Sequence, residues 1–185
     1  MQDSGEGMET DGTSWIGAAP GGPGGRPVLR LEAFLPYRLS VLANTISHAV
    51  AEAYRERFGL TVPEWRVMAT LGEFDGPGAA VTANAVAAHT AMDKVQVSRA
   101  ISRMIQAGLV ARVTDPGDRR RSILTLTEAG RGIYERIVPA ALDYERRLVA
   151  GLSETERACL ARLIDTLTDR ATQTAPPREV GAEGP

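Results

Sequence analysis

The chain has 185 residues, 43% of them hydrophobic and 24% charged, and a formal net charge of −2; this is room for one compact domain with extensions, in an ordinary globular composition. No apolar run approaches the ~18 residues a membrane span needs. The start carries no basic stretch followed by an apolar core, so the cytosol is the expected compartment. One cysteine (Cys159) and two histidines (His48 and His89) exclude a disulfide framework and make a metal site unconvincing.

Residues 1–27, with "GAAPGGPGGRP", are rich in Gly and Pro. Such a segment buries too little apolar surface to offset the ordering of its backbone, so it is expected to be a disordered tail. From Leu29 to Phe58, Leu31, Leu35, Leu39, Leu42, Ile46 and Val50 recur every three or four positions and trace a helical stripe. Pro36 marks its start or a kink, and Gly59 stops it. The next helix opens at "TVPEW": Thr61 caps it, Glu64 completes a capping box and Pro63 suits the first turn. Its expected buried face is Trp65, Met68 and Leu71.

A short third helix begins near Thr82, and a fourth follows with Asp93 as N-cap and Gly108 as its stop. "LVARVT" and "SILTLT" then read as two strands joined by "DPGDRRR", in which Asp-Pro and Gly make a turn. A helical pattern resumes at Glu128, with Ile133, Ile137, Ala141, Leu148 and Leu152 close to one face and a kink expected at Pro139. The last helix starts from a second capping box, Ser153 to Glu156, and carries Leu160, Leu163, Ile164 and Leu167. Cys159, beside these apolar residues, reads as a buried small hydrophobe rather than a redox sensor. "TAPPREVGAEGP" is again a tail.

Two short helices joined by a tight turn and followed at once by a hairpin is the order of a winged helix-turn-helix, whose second helix enters the DNA major groove. The fourth helix suits that task. Val97, Ala100, Ile101, Met104 and Ile105 converge on one side. Val95, Gln96, Arg99, Ser102, Arg103 and Gln106 lie opposite, with Lys94 and Ser98 at the margins and no acid after the cap. Arg reads guanine, Gln reads adenine and Val meets a thymine methyl; an ordinary solvated face has a similar look. The hairpin decides between them, because three adjacent arginines repel one another unless a strongly negative groove receives them. From His89 to Arg121 there are seven Lys and Arg against three Asp, so positive charge is concentrated in this part of an acidic chain.

"GLTVPEWRVMATL", "MDKVQVSRAISRMIQAGLV" and above all "DPGDRRRSILTLTEAGR" resemble the MarR family of bacterial transcriptional regulators over roughly residues 30–170. The resemblance implies a mainly α fold with a small β-hairpin wing, a winged helix-turn-helix core flanked by N- and C-terminal dimerisation helices. The expected organisation is a tail at 1–27, a dimerisation helix at 28–59, the winged core at 60–127, dimerisation helices at 128–171 and a tail at 172–185. It also implies recognition-helix contacts from Lys94, Val95, Gln96, Ser98, Arg99 and Arg103. In the wing, Arg120 enters the minor groove supported by Asp118, and Arg119 and Arg121 meet phosphates.

The apolar stripes of the outer helices need a partner surface, and two recognition helices one DNA turn apart read a palindrome where one would bind weakly. The resemblance accordingly implies a homodimer on double-stranded DNA, most often a repressor, released by a small aromatic effector near Tyr37, Arg38, His48, Trp65 and Arg66. Trp65 also reads as a core residue, Arg66 as the partner of an acid and His48 as a helix-surface residue. No cofactor, metal or membrane is expected. No Ser-His-Asp signature, phosphate loop or paired-cysteine motif is present, so an enzyme is not expected. The competing reading is a winged helix used for protein contacts or for sequence-blind DNA coating, which salt titration on specific and random DNA separates.

Overall fold

The computed structural model describes residues 18–19, 28–76, 80–115, 117–118 and 121–174. Among them are six helices and two small antiparallel sheets: β1 (Ala18–Ala19), β2 (Val28–Leu29), α1 (Leu35–Phe58), α2 (Val62–Glu73), α3 (Ala83–Thr90), α4 (Lys94–Gln106), β3 (Val110–Thr114), β4 (Ser122–Leu126), α5 (Glu128–Leu148) and α6 (Glu154–Thr174). The mainly α fold with a hairpin wing is thus the observed one. β1 pairs with β2, Ala18 opposite Leu29, inside and beside the segment expected to be a tail. α6 runs through Thr174, three residues into the expected C-terminal tail.

The chain divides into two compact units, residues 1–140 and 141–185. The core of the first is built by α2, α3, α4 and the wing. Val67, Met68, Leu71, Val86, Val97, Ile101, Met104, Val110 and Leu124 are buried together, with Tyr54 of α1 and Ile137 of α5. α2 begins as its sequence dictates: Pro63 occupies the first turn and Glu64 reaches back to the Thr61 amide at 2.7 Å. Met68 and Leu71 are buried, Trp65 only half so. Thr82 caps α3, its hydroxyl accepting from the Ala85 amide at 3.2 Å. Gly108 takes φ +70 just past α4, a left-handed turn that glycine makes without a Cβ penalty.

The wing pairs Val110 with Leu126 and Thr114 with Ser122. Leu124 and Leu126 face the core and Thr125 faces out. A lock ties the wing to α5. The Thr127 hydroxyl donates to the Gly108 carbonyl at 2.7 Å and accepts from the Gly130 amide at 3.0 Å. Gly130 packs so closely on Leu109 that a Cβ there would lie 2.1 Å from the Leu109 carbonyl oxygen. α5 continues through Pro139.

In the second unit, α6 starts from the expected capping box: the Ser153 amide donates to Glu156 at 2.8 Å and the Glu156 amide to the Ser153 hydroxyl at 3.3 Å. Cys159 is exposed, which corrects the expectation of a buried thiol. The reason is general to the helix, for α6 has no buried residue and Leu160, Leu163, Ile164 and Leu167 are all exposed in the single chain. The Cys159 sulfur faces the Arg162 guanidinium at 3.5 Å. No helix of the described residues is long and apolar enough to cross a membrane.

Candidate nucleic-acid interface

α4 divides cleanly into two faces. Val97, Ala100, Ile101 and Met104, at the i, i+3, i+4, i+7 spacing of one helical stripe, are buried. Ile105 is half-buried. Lys94, Val95, Gln96, Ser98, Arg99 and Arg103 are exposed, so every residue assigned to the recognition face stands on the surface. Asp93 caps the helix, its carboxylate accepting from the Gln96 amide at 2.8 Å. That hydrogen bond commits the Asp93 carboxylate to the helix N-terminus, and the first turn itself carries Lys94 and no acid.

Arg103 differs from its neighbours. Its guanidinium lies 3.9 Å from Glu64, the capping carboxylate of α2, which is itself buried. Sequence reasoning gave Arg103 only a DNA role. The structure adds a tie that holds the C-terminal half of α4 against the start of α2. The capping box marked Glu64 as fixed in place, but 39 residues separate it from Arg103 and no local pattern joins them.

At the wing, Asp115 accepts from the Gly117 amide at 2.8 Å and its own amide donates to the Arg121 carbonyl at 3.0 Å. The Arg121 amide donates to the Asp118 carbonyl at 2.9 Å, and its guanidinium lies 3.7 Å from Asp115. Asp118 and Arg121 are exposed. Arg119 and Arg120 lie outside the described residues. Arg112, not singled out from the sequence, is exposed on β3.

The five residues considered for an effector are not brought together. A pocket of about 190 Å³ between α1 and α2 is lined by Ile46, Ser47, Val50, Tyr54, Val62, Trp65 and Arg66. Of the five, only Trp65 and Arg66 line it, while Tyr37, Arg38 and His48 are exposed elsewhere on α1. Trp65 stacks on Tyr54 at 5.4 Å and on Tyr134 at 6.2 Å between ring centroids. Arg66 meets the Ser47 hydroxyl at 3.5 Å rather than an acid. Burial pushes the Tyr54 phenol up, against the opposing pull of Arg55 and Arg66, so it stays a protonated donor near neutral pH. Ser47, Val50 and Tyr54 share one helical face, and that spacing is the signal by which the sequence could have nominated them.

The MarR family model matches residues 58–121, the span that holds α2, α3, α4 and the first strand of the wing, β3, and stops just before β4. The HTH-type transcriptional repressor NicR of Pseudomonas putida is 30% identical over 80 residues, 43% of this chain and 51% of its own length, so the chain spans about half of that relative. The MarR family transcriptional regulator SPO1453 of Silicibacter pomeroyi is 31% identical with a TM-score of 0.63, over 75% of this chain and 96% of that one. CouR of Rhodococcus jostii, solved bound to p-coumaroyl-CoA, is 25% identical with a TM-score of 0.64, over 79% of this chain and 96% of that one. Fold, exposed basic helix, wing and relatives agree: the chain belongs to the MarR family of DNA-binding transcriptional regulators, which are not enzymes.

Proposed function

We propose that this regulator is a homodimeric repressor that binds a pseudo-palindromic operator in the cytoplasm and is released by a small aromatic anion. In each half-site α4 lies in the major groove, with Lys94, Val95, Gln96, Ser98 and Arg99 at base edges and phosphates. The wing reaches the minor groove through Arg120 supported by Asp118, flanked by Arg119 and Arg121. The observation that carries this reading is the exposed face of α4, entirely free of acids beyond its cap and backed by four buried residues that fix its orientation.

Dimerisation is supported by apolar side chains left in water in both units. Leu35, Leu39 and Leu42 of α1 are exposed, as are, in the other unit, Leu160, Leu163 and Ile164 of α6, and each is an apolar stripe of the kind an isologous interface covers. The domain assignment, with outer dimerisation helices around a winged core at 60–127, is part of the same proposal. An effector is supported by the α1–α2 pocket, where the Trp65 ring and apolar walls surround one cation, Arg66, and the Ser47 hydroxyl; such a lining suits an aromatic carboxylate. CouR carries an aromatic thioester, and the relative NicR is a transcriptional repressor.

The test is a binding titration on promoter DNA and on random duplex. Arg120→Ala is expected to weaken both alike, whereas Arg99→Ala additionally relaxes preference at one base pair, a loss of about 1–3 kcal/mol of discrimination. Equal binding by parent and Arg120→Ala defeats the wing assignment. A thermal-shift screen of aromatic acids and their thioesters, repeated on Arg66→Gln, checks the effector pocket.

A further inference from the structure

α5 is fastened to the wing at its first turn and meets the rings of the α1–α2 pocket one turn later. Gly130 is seated on Leu109, and the Thr127 hydroxyl holds the Gly108 carbonyl. Arg131 pairs with Asp75, two residues past the end of α2. The wing has a second anchor, since the Leu124 amide of β4 donates to the Val81 carbonyl at 2.8 Å. Tyr134, four residues after Gly130, lies on the same face of α5 as Gly130 and the buried Ile137. Trp65 stacks on both Tyr54 and Tyr134, which links rings from α1, α2 and α5. Two of the three, Tyr54 and Trp65, line the pocket. Behind the third is bare main chain. A Cβ on Gly72, two turns along α2 from Trp65, would lie 2.5 Å from Cζ of Tyr134 and 2.6 and 2.7 Å from its Cε atoms. The ring therefore fills the space of a missing methyl and has no room to move toward α2.

We propose that Tyr134, seated on Gly72, is the positioning residue that couples the α1–α2 pocket to the wing. An occupant that shifts Trp65 shifts the Tyr134 ring stacked on it. That ring is backed by the main chain of Gly72 and cannot give way alone, because close-packed groups pass a displacement on rather than absorb it. What moves is α5, whose first turn carries the wing root with it through Leu109 and Gly108. The coupling is reciprocal, so DNA that fixes the wing also fixes the rings. This rests on the effector reading above, and its test uses no effector, so that a ligand screen that finds nothing and a coupling that fails are separate results.

Gly72 is helical, without a positive φ, so alanine suits its backbone and strengthens the helix while forcing the Tyr134 ring aside. Affinity of the full chain for promoter DNA is measured for the parent, Gly72→Ala, Tyr134→Ala, Tyr134→Phe and the double variant Gly72→Ala with Tyr134→Ala. Gly72→Ala is expected to lower affinity by about fivefold or more, the lower end of ordinary allosteric coupling. The same change made in Tyr134→Ala, where no ring stands in the way, is expected to matter by less than about twofold. Tyr134→Phe keeps the ring and should bind as the parent does. Trp65 gives a spectroscopic signature once Trp15→Phe removes the chain's other indole. Its emission should shift in Gly72→Ala and on adding promoter DNA to the parent, and neither shift should survive in Tyr134→Ala. Affinity untouched by Gly72→Ala, or lowered equally with and without the Tyr134 ring, overturns the proposal. So does Trp65 emission that ignores DNA in the parent or responds to it equally in Tyr134→Ala.

Discussion

Two helices of this chain carry apolar stripes of the same spacing and meet different surroundings. α4 buries Val97, Ala100, Ile101 and Met104 inside its own unit, and its outer face is polar and basic. α6 is longer, 21 residues to 13, yet buries nothing, with Leu160, Leu163, Ile164 and Leu167 exposed. The pattern alone does not distinguish them. An amphipathic stripe states that a face must be covered, while the covering surface depends on what else the chain brings near. For α4 the cover comes from α2, α3 and the wing; for α6 the proposed homodimer supplies it.

The comparison is broken most severely at Gly130, behind the α4 side. Alanine there sets a methyl 2.1 Å from the Leu109 carbonyl oxygen, and that contact is main chain with no flexible side chain to move aside. The seam must open, along with the Thr127 hydrogen bonds that close it. Gly130→Ala is expected to cost about 4 kcal/mol or more, in the tail of single-substitution effects, and to leave little folded protein in a denaturant titration.

A matched pair of truncations sharpens the contrast. Met104→Ala removes a side chain buried to 1% exposure and is expected to destabilise by about 2–5 kcal/mol, lowering the denaturation midpoint at every protein concentration. Leu163→Ala removes a side chain 46% exposed in the single chain. Its effect should appear as weaker self-association in sedimentation velocity, with little change in the unfolding of the dissociated chain. If both variants shifted only the intrinsic midpoint, α6 would be an ordinary packed helix and the dimer proposal would lose its support.

What the sequence disclosed follows the same division. Caps and turns were legible because they are local: Thr61, Asp93 and Ser153 each sit three residues from the group they serve, and Gly108 is alone at its left-handed turn. The two faces of α4 were legible because the helical period sorts them. Contacts between distant segments were not, since no periodicity joins Arg103 to Glu64, or the wing root to Val81. Only the packing of α1 on α2 decides which face of α1 meets Trp65, so the sequence did not show that Trp65 and Arg66 line one pocket while Tyr37, Arg38 and His48 stand outside it. Cys159 failed differently, as burial was inferred from apolar neighbours that are themselves exposed in the single chain.

Between these extremes lies the tie from α4 to α2. Glu64→Gln keeps an acceptor for the Thr61 amide but removes the charge facing Arg103. Because Arg103 is 67% exposed at 3.9 Å, the pair is screened and the loss is modest, about 1 kcal/mol at most with the weakened cap included. Chemical denaturation measures it. DNA binding should fall no further than stability does, whereas Arg103→Gln should also weaken DNA binding if the same guanidinium meets a phosphate. A tie without a DNA role would leave the two variants alike in every binding assay.

The smallest effect tests the part of α6 that needs no partner. Glu156 titrates below its ordinary 4.5 because the Ser153 hydroxyl donates to it, with the Ser153 amide adding to the effect. A carboxyl whose folded pKa is depressed stabilises the folded state above its unfolded value, and that contribution is lost as pH falls through the folded one. The cap is therefore intact at neutral pH and fails only in acid, below the ordinary glutamate range. The carboxylate is fully in water, so the consequence for stability is slight and the titration itself is the measurement. Carbon-detected NMR of the Glu156 carboxyl should give a value that rises toward the ordinary one in Ser153→Ala, where the hydroxyl donor is gone and the amide remains. A value that is depressed equally in parent and variant would assign the effect to the helix N-terminus as a whole. The start of α6 would then owe its stability to the aligned peptide dipoles rather than to the serine that opens it.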